Sequence, residues 1–475
     1  MMIALCRRIK SGHNIIITKT MLKSETWRSH YAIPVLFMIF LVLICVTPPL
    51  QSPDEFDHIK RAYALSEGTI FFKAQGAQSS GAMIDDGLIK YIALHDSLGL
   101  NPNQKVVSSD LAKAKELRWE GTKTFSATPA TAFYFPAIYA PQASALLLSK
   151  ALGLSINQSY YATRIVASLT VLLILAAAFA LTTPSLVTLA LLAMPMSIFQ
   201  LSSTSLDGIA TALAILFISI FLKILREPSC NNTKLFWLAL LTFVLLASSR
   251  LQLLPFFLFF LVLFWRDRNY VHLAAALVTL GLVCAWVIIA GKYTVDHRVP
   301  SSIASSQVAL IYLRDPIALA QIIWSTLTDE LTLRGYFTSF LGMLGWLTAT
   351  FPGKTYIYLL FGLILISGLS LSLKHIKCNW RTNFLFLLIA SLSIFLIMFA
   401  MLTTWTPYPS ATIIGVQGRY FLIPALLLSY GFFPALSSLS TRRSLPVSVL
   451  LAGFTLYSLY ITIDLLLMRY YISAT

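Results

Sequence analysis

Long apolar runs separated by short polar breaks recur from Tyr31 to near the end of the chain. A helix needs about 20 mostly apolar residues to cross the hydrocarbon of a bilayer, so this pattern predicts membrane-spanning helices. A membrane barrel would instead alternate apolar and polar positions over segments of about ten residues, a pattern the chain does not show. The runs fall at 31–46, 162–182, 185–203, 206–225, 235–249, 251–265, 271–291, 356–373, 384–403, 420–436 and 445–467. They predict an all-α integral membrane bundle of about 11 transmembrane helices. No internal repeat is visible, which gives no support to an inverted-repeat transporter.

Composition agrees: 11% of residues are charged and 57% hydrophobic, whereas a soluble domain carries about a quarter charged residues. The net charge of +16 sits in small Lys and Arg groups at the ends of apolar runs. Such groups set topology and form no phosphate-binding stripe, so no nucleic acid is expected as a partner. Residues 1–30 form a basic leader in which Arg7, Arg8, Lys10, Lys19, Lys23 and Arg28 face only Glu25. The positive-inside rule places it in the cytoplasm, and the first run, lacking a small-residue cleavage site, reads as an anchor. Lys223 with Arg226 and Lys234, Arg266 with Arg268, Lys374 with Lys377 and Arg381, and Arg442 with Arg443 mark returns to the cytoplasm. Parity then leaves the apolar stretch 133–152 surplus. It is expected to lie along the outer interface or to re-enter, kinked at Pro129, Pro136 and Pro141. The C-terminus falls outside, residues 31–475 form one transmembrane domain, and no cysteine is placed in an exoplasmic disulfide framework. The sequon Asn231-Asn232-Thr233 falls on the cytoplasmic side and is set aside.

Two exoplasmic loops are long, 48–132 and 292–354. The first holds Asp54, Glu55, Asp57, Glu67, Asp85, Asp86, Asp96, Asp110, Glu116 and Glu120, more than half of the chain's 19 acidic residues. Within it, Ser52-Pro53-Asp54-Glu55 reads as a helix start with Ser52 as N-cap, Pro53 at the first position and Glu55 closing a capping box, and Gly68 supplies the stop. At about 100° per residue, Asp54, Asp57, His58 and Arg61 share one face of this helix, and Phe56, Ile59 and Tyr63 the other. The titratable face is expected to turn toward a cavity. Glu55 serves capping or catalysis; Asp54 is less needed for capping, and a carboxylate just above the bilayer can act as general base. His58 either orients that carboxylate or is a surface histidine. A divalent cation on Asp54, Asp57 and His58 is an alternative without a ligand-spacing signature, and no cofactor is assigned.

The element Pro53-Asp54-Glu55-Phe56-Asp57-His58, followed by Arg61-Ala62-Tyr63 and Gly68, resembles a bacterial polytopic family long labelled a domain of unknown function and grouped with the GT-C glycosyltransferases. Ser339-Phe340-Leu341-Gly342-Met343-Leu344-Gly345-Trp346 with Pro352, and Gly415-Val416-Gln417-Gly418-Arg419-Tyr420-Phe421 with Pro424, match it in order. The resemblance implies a GT-C-like bundle in a bacterial inner membrane, with its active site on the exoplasmic side and interfacial helices in the loops. It also implies an inverting transfer of sugar from a polyprenyl-phosphate donor to a cell-envelope glycan or lipid-linked acceptor, with an acid of the first loop as base. Because Asp54 and Glu55 are adjacent, the pattern does not say which of them is that base.

A lipid-phosphate leaving group needs a cation at the headgroup level, and Arg suits phosphate best. Arg419 is the first choice, beginning a helix after glycines that let backbone approach a ligand, with Gln417 and Tyr420 beside it; a snorkelling Arg is the plain alternative. Arg250, a charge in an apolar hairpin, marks a site or pairs with Asp207. Arg334, in the amphipathic stretch 321–336, meets the donor or joins a local network with Asp329 and Glu330. Trp346, Tyr336 and Tyr420 stack on sugars or form an aromatic belt. A flippase of lipid-linked sugars is the rival function, disfavoured because only Asp207 and Asp464 are acids near helix interiors or ends. A scaffold for envelope polymer assembly ranks last.

Overall fold

A computed structural model describes residues 31–227, 233–298, 303–439 and 441–472. The basic leader, Cys6, Cys230, Asn231, Asn232 and the side chains of Arg442 and Arg443 lie outside the described residues. Cys45, Cys284 and Cys378 are free thiols.

The chain is a mainly helical polytopic membrane protein. Seven of its described helices are long and apolar enough to span, or eight if the bent pair Ser305–Arg314 and Pro316–Thr328, folded at 104°, is one broken span. About 11 uninterrupted spans were expected, and the physical reasons for the difference are local. The run 185–203 splits into two seven-residue helices, because Pro195 has no N–H to continue the ladder and instead starts the second. The run 251–265 opens as a 3-10 turn, Leu251–Phe257, containing Pro255, before the α-helix Leu258–Asp267. Ala32–Val46 and Thr233–Ser249 are apolar but only 15 and 17 residues long.

The elements that build the site follow one another closely. Helix α1 (Ala32–Val46) leads through residues 47–54 to α2 (Glu55–Ser66). Gly68, at φ 82°, ends α2 as expected: Thr69 N–H reaches back to the Ala64 carbonyl at 2.8 Å and Gly68 N–H to Leu65 at 3.0 Å. An antiparallel pair, β1 (Gly81–Asp85) and β2 (Lys123–Ala127), sets Gly81 opposite Ala127 and Asp85 opposite Lys123. The surplus stretch contains a 3-10 turn, Pro136–Tyr139, and α3 (Ala140–Ala151), about 18 Å long and too short to span. One face of α3 packs on α2 and on α4 (Ile156–Leu181), while Leu147, Leu148 and Leu152 stay exposed.

Helices α5 (Leu186–Leu192) and α6 (Pro195–Leu201) then lead to the buried span α7 (Leu206–Arg226), packed on α4. The amphipathic stretch 321–336 is not one helix. Asp329 interrupts it and caps α8 (Glu330–Leu341) by accepting from Thr332 N–H at 2.8 Å. The 3-10 turn Gly418–Phe421 enters α9 (Leu422–Phe432). The two long loops are tied together: Ser80 N–H donates to Val295 O at 2.8 Å, and His297 N–H to the Ser79 hydroxyl at 2.8 Å.

Candidate active site

Between α1 and α2, Leu50 and Asp54 hold left-handed backbone, with φ of 64° and 57°. That conformation costs a non-glycine residue about 1–3 kcal/mol, and Asp tolerates it better than most. Asp54 occupies the N-cap position, where its main-chain carbonyl accepts from Asp57 N–H and His58 N–H at 3.0 Å and its carboxylate makes no capping bond. The Ser52 cap expected from the sequence does not form, and the Ser52 hydroxyl is buried without a partner. Half of the capping box survives as Ser52 N–H to Glu55 Oε2 at 3.0 Å. Glu55 Oε1 instead takes the N–H and hydroxyl of Thr204 at 2.9 and 3.0 Å.

Glu55 thereby holds the turn at 202–205. Gln142 donates to the Thr204 carbonyl at 3.2 Å, and buried Arg164 donates to Ser202 O at 2.9 Å and Thr47 O at 3.0 Å. Ser202 and Thr47 are the C-caps of α6 and α1, so Arg164 satisfies orphan carbonyls at two helix ends. The turn so fixed opens α7, whose second residue is Asp207.

Asp207 is shared. One oxygen pairs with Arg250 and the other meets Arg419 Nη1 at 3.4 Å and Gln200 Nε2 at 3.2 Å. Arg419 continues the chain of charges, with Nη2 on Asp54 at 3.0 Å and Nε on Gln417 at 2.6 Å. Two acids and two arginines thus alternate as Asp54, Arg419, Asp207, Arg250. A cleft beside them is lined by Gln200, Asp207, Thr211, Arg250, Gln252, Arg419 and Tyr420, with Ala210, Leu422 and Ile423 as its apolar wall.

Arg419 is set in place by a backbone contact. A Cβ on Gly418 would lie 1.9 Å from the Tyr336 carbonyl, and Gly418 N–H donates to the Ser339 hydroxyl at 2.7 Å. The Gly415 position, at φ 86°, is covered by the Trp405 ring. The glycines before Arg419 therefore admit α8 and an indole, where the sequence suggested a ligand.

Apart from Asp54, the titratable face of α2, Asp57, His58 and Arg61, is buried against protein, contrary to expectation. His58 Nδ1 lies 2.7 Å from the Tyr139 hydroxyl, so His58 is no surface histidine. Its ring stacks on Tyr134, which also lies 5.3 Å beneath Arg250. Arg61 donates to the carbonyls of Ile70 and Tyr134 at 2.9 and 3.0 Å and covers the Phe72 ring, away from the cleft. Arg334 is exposed on α8 and forms no ion pair with Asp329 or Glu330 among the described residues. Trp346 donates to Leu50 O at 2.8 Å and packs on Phe56 and Gly99, a structural role rather than a belt. Tyr336 packs edge-on to Phe421, and Tyr420 lines the cleft. Among the described residues no three His, Cys, Asp or Glu side chains converge as metal ligands, so Asp54, Asp57 and His58 make no such set.

Burial raises the Asp54 carboxyl, but Arg419 beside it, His58 and Arg298 together hold it below the usual range. Asp57, buried on the same helix, is pushed up to about 6 by desolvation and by the nearby Asp54 charge, against Lys60. His58 is driven down to about 3 by burial and the charges of Arg250 and Arg419, and is neutral at ordinary pH. At the site, an ionised carboxylate open to solvent stands next to a cation that also faces a cleft with polar and apolar walls. Such an arrangement can accept a proton from a hydroxyl and hold an anionic group with an apolar tail.

Three participants escape the sequence pattern. Gln200 is an amide within an apolar run, Arg164 is a charge within another, and exposed Arg298 acts electrostatically on Asp54 and Asp57 from the far loop. Only Arg164 carried a usable signal, since a charge in an apolar run is costly and marks a pairing or a site.

No curated protein matches the chain. Among solved structures it is similar to the crystal structure of ArnT from Cupriavidus metallidurans in the apo state, at 12% identity and a TM-score of 0.29 over 85% of this chain and 75% of that one. So slight a superposition transfers neither fold nor activity. A family described as predicted membrane proteins, DUF2142, matches residues 37–428, a stretch that holds all three sequence elements, the Asp54 and Arg419 pair and the cleft, and the chain belongs to that family.

Proposed function

We propose that the protein is a membrane glycosyltransferase of GT-C type, moving a sugar from a polyprenyl-phosphate donor to a cell-envelope glycan or lipid-linked acceptor. The contact between Asp54 and Arg419 at 3.0 Å carries this reading, because it joins a solvent-open carboxylate to a cation at a cleft with an apolar wall. The resemblance of the three ordered elements to a family grouped with the GT-C glycosyltransferases supports it. In the reaction, the acceptor hydroxyl attacks the anomeric carbon from the face opposite the phosphate. The bond to the phosphate oxygen breaks with its electron pair on that oxygen, the hydroxyl proton passes to Asp54, and the sugar inverts. Arg419, with Gln417 on its Nε, binds the leaving phosphate, and Tyr420 borders the same cleft. Glu55 positions the turn before Asp207 and is not the base. The basic leader and charge parity support an inner membrane location with the site on the exoplasmic side.

The test is transfer by purified protein in detergent, given a polyprenyl-phosphate sugar and a glycan acceptor. Transfer by wild type and its loss in Asp54→Asn is expected. Movement of the lipid-linked sugar across vesicles with no covalent transfer would instead make the protein a flippase.

A further inference from the structure

Arg419 is engaged on three sides, by Gln417, Asp207 and Asp54. These partners are not equivalent. The Asp54 side chain is 42% exposed, against 12% for Asp207 and 3% for Arg419. Asp207 is also held by Arg250 and Gln200. The cleft lies on the Asp207 side of Arg419, lined by Gln200, Asp207, Arg250, Gln252 and Arg419 but not by Asp54. The guanidinium is thus a partition between the cleft and the carboxylate. An anion entering the cleft competes for it, and the contact that yields at least cost is the one water can replace. That contact is Asp54, because its partly exposed carboxylate is resolvated when Arg419 leaves and lies off the cleft, whereas Asp207 sits on the cleft wall toward which Arg419 moves.

We propose that the Asp54 and Arg419 contact is a latch opened by the donor's phosphate, which draws Arg419 toward itself and Arg250 and frees Asp54 as a base only when the donor is in place. This inference rests on the glycosyltransferase reading and adds an order of events to it. The charges balance. The four side chains sum to zero, and a donor phosphodiester adds one negative charge. When the acceptor oxygen bonds to the anomeric carbon and the phosphate leaves with its electron pair, the hydroxyl proton neutralises Asp54. One negative charge therefore disappears on one side of Arg419 and appears on the other. The cation that restrains the base before the donor arrives stabilises the leaving group afterwards. Asp207 is a positioning residue: it keeps Arg250 and Arg419 on one cleft wall and touches no reacting atom.

The experiment uses full-length protein in lipid nanodiscs with polyprenyl phosphate, and with uncharged polyprenol as control. Infrared difference titration follows the Asp54 carboxyl, assigned by its loss in Asp54→Asn or its displacement in Asp54→Glu. With the phosphate, Asp54 is expected to titrate about one pH unit higher, a tenfold gain in proton affinity, and polyprenol should leave it unmoved. Through-space repulsion by the phosphate persists in Arg419→Gln, so a rise there as large as in wild type overturns the latch. A structure of the phosphate complex decides independently of any variant. Separation of Arg419 from Asp54 beyond about 4 Å supports the proposal, and an intact contact with phosphate bound overturns it while leaving the glycosyltransferase reading standing. Failure of polyprenyl phosphate to bind at all overturns both.

Discussion

Asp54 and Glu55 are neighbours in the chain with opposite environments: the Asp54 carboxylate is solvent-open and meets Arg419 at 3.0 Å, while Glu55 is fully buried on Thr204 at 2.9 Å. Their substitutions should separate function from stability. Asp54→Asn keeps a residue that tolerates left-handed backbone and leaves buried Arg419 with Asp207 and Gln417, so stability should change by about 1 kcal/mol. Transfer should nonetheless fall by about a hundredfold to ten-thousandfold, the range of general-base catalysis. Glu55→Ala strands three buried donors and should cost on the order of 3 kcal/mol, read as a lower Tm in detergent. Equal loss of stability in both variants would remove the distinction between base and strut.

How far the sequence reveals this site depends on which signals are local. Helix identity and the Gly68 stop are local, and both are present. The Ser52 cap is also a local pattern, but the helix starts at Glu55 with Asp54 as N-cap, so only the Glu55 half of the box forms, while the other Glu55 oxygen serves Thr204. Arg250 stands out because a charge in an apolar hairpin demands a partner, and Arg419 because it opens a helix after glycines; Asp207 meets both. That Asp54 also meets Arg419 is invisible locally, since the two lie 365 positions apart. The broken run at 185–203 had a visible cause in Pro195, but a run's summed hydropathy hides a break in its hydrogen-bond ladder.

Stability should depend on pH in a way that only variants expose. Asp57 has a folded value of about 6 against 3.8 for the free group, so its contribution is full below about pH 4 and is lost as pH rises through 6. His58 is lowered from 6.5 to about 3, so its contribution is full above 6.5 and is lost as pH falls toward 3. Between about pH 4 and 6 the two slopes oppose and nearly cancel in the wild type. Asp57→Asn should leave stability rising with pH across that window, and His58→Asn should leave it falling. Thermal unfolding at half-unit pH steps tests both signs, and identical slopes in the two variants would contradict the assignment.

Gly418→Ala tests how Arg419 is held. The new Cβ would meet backbone, the Tyr336 carbonyl and the Phe340 nitrogen, neither of which is the free end of a side chain. Residues 418–421 must then shift off α8, at a cost of about 1–3 kcal/mol, and carry Arg419 with them. Binding of polyprenyl phosphate should weaken at least tenfold in the folded fraction. Gly353→Ala, where a Cβ meets nothing within 4 Å, is the control and should bind normally.

Asp207 and Arg250 offer the sharpest test of whether the charges act as a unit. Each is nearly buried, with side-chain exposures of 12% and 11%, so removing one partner leaves the other uncompensated and should cost about 3–5 kcal/mol. Asp207→Asn should be the worse of the two singles, because it leaves both Arg250 and Arg419 short of a counterion, whereas Arg250→Gln still leaves Asp207 with Arg419 and Gln200. The double variant should recover part of the loss, since its neutral side chains no longer strand each other, giving a coupling of about 1–3 kcal/mol in a double-mutant cycle. Because the pair is shielded from solvent, that coupling should persist at 1 M salt, where exposed pairs are screened within about 3 Å. A coupling that vanishes in salt would mean that the cleft opens to water around Asp207, and the two arginines would then be surface charges without the rigidity needed to grip a phosphate.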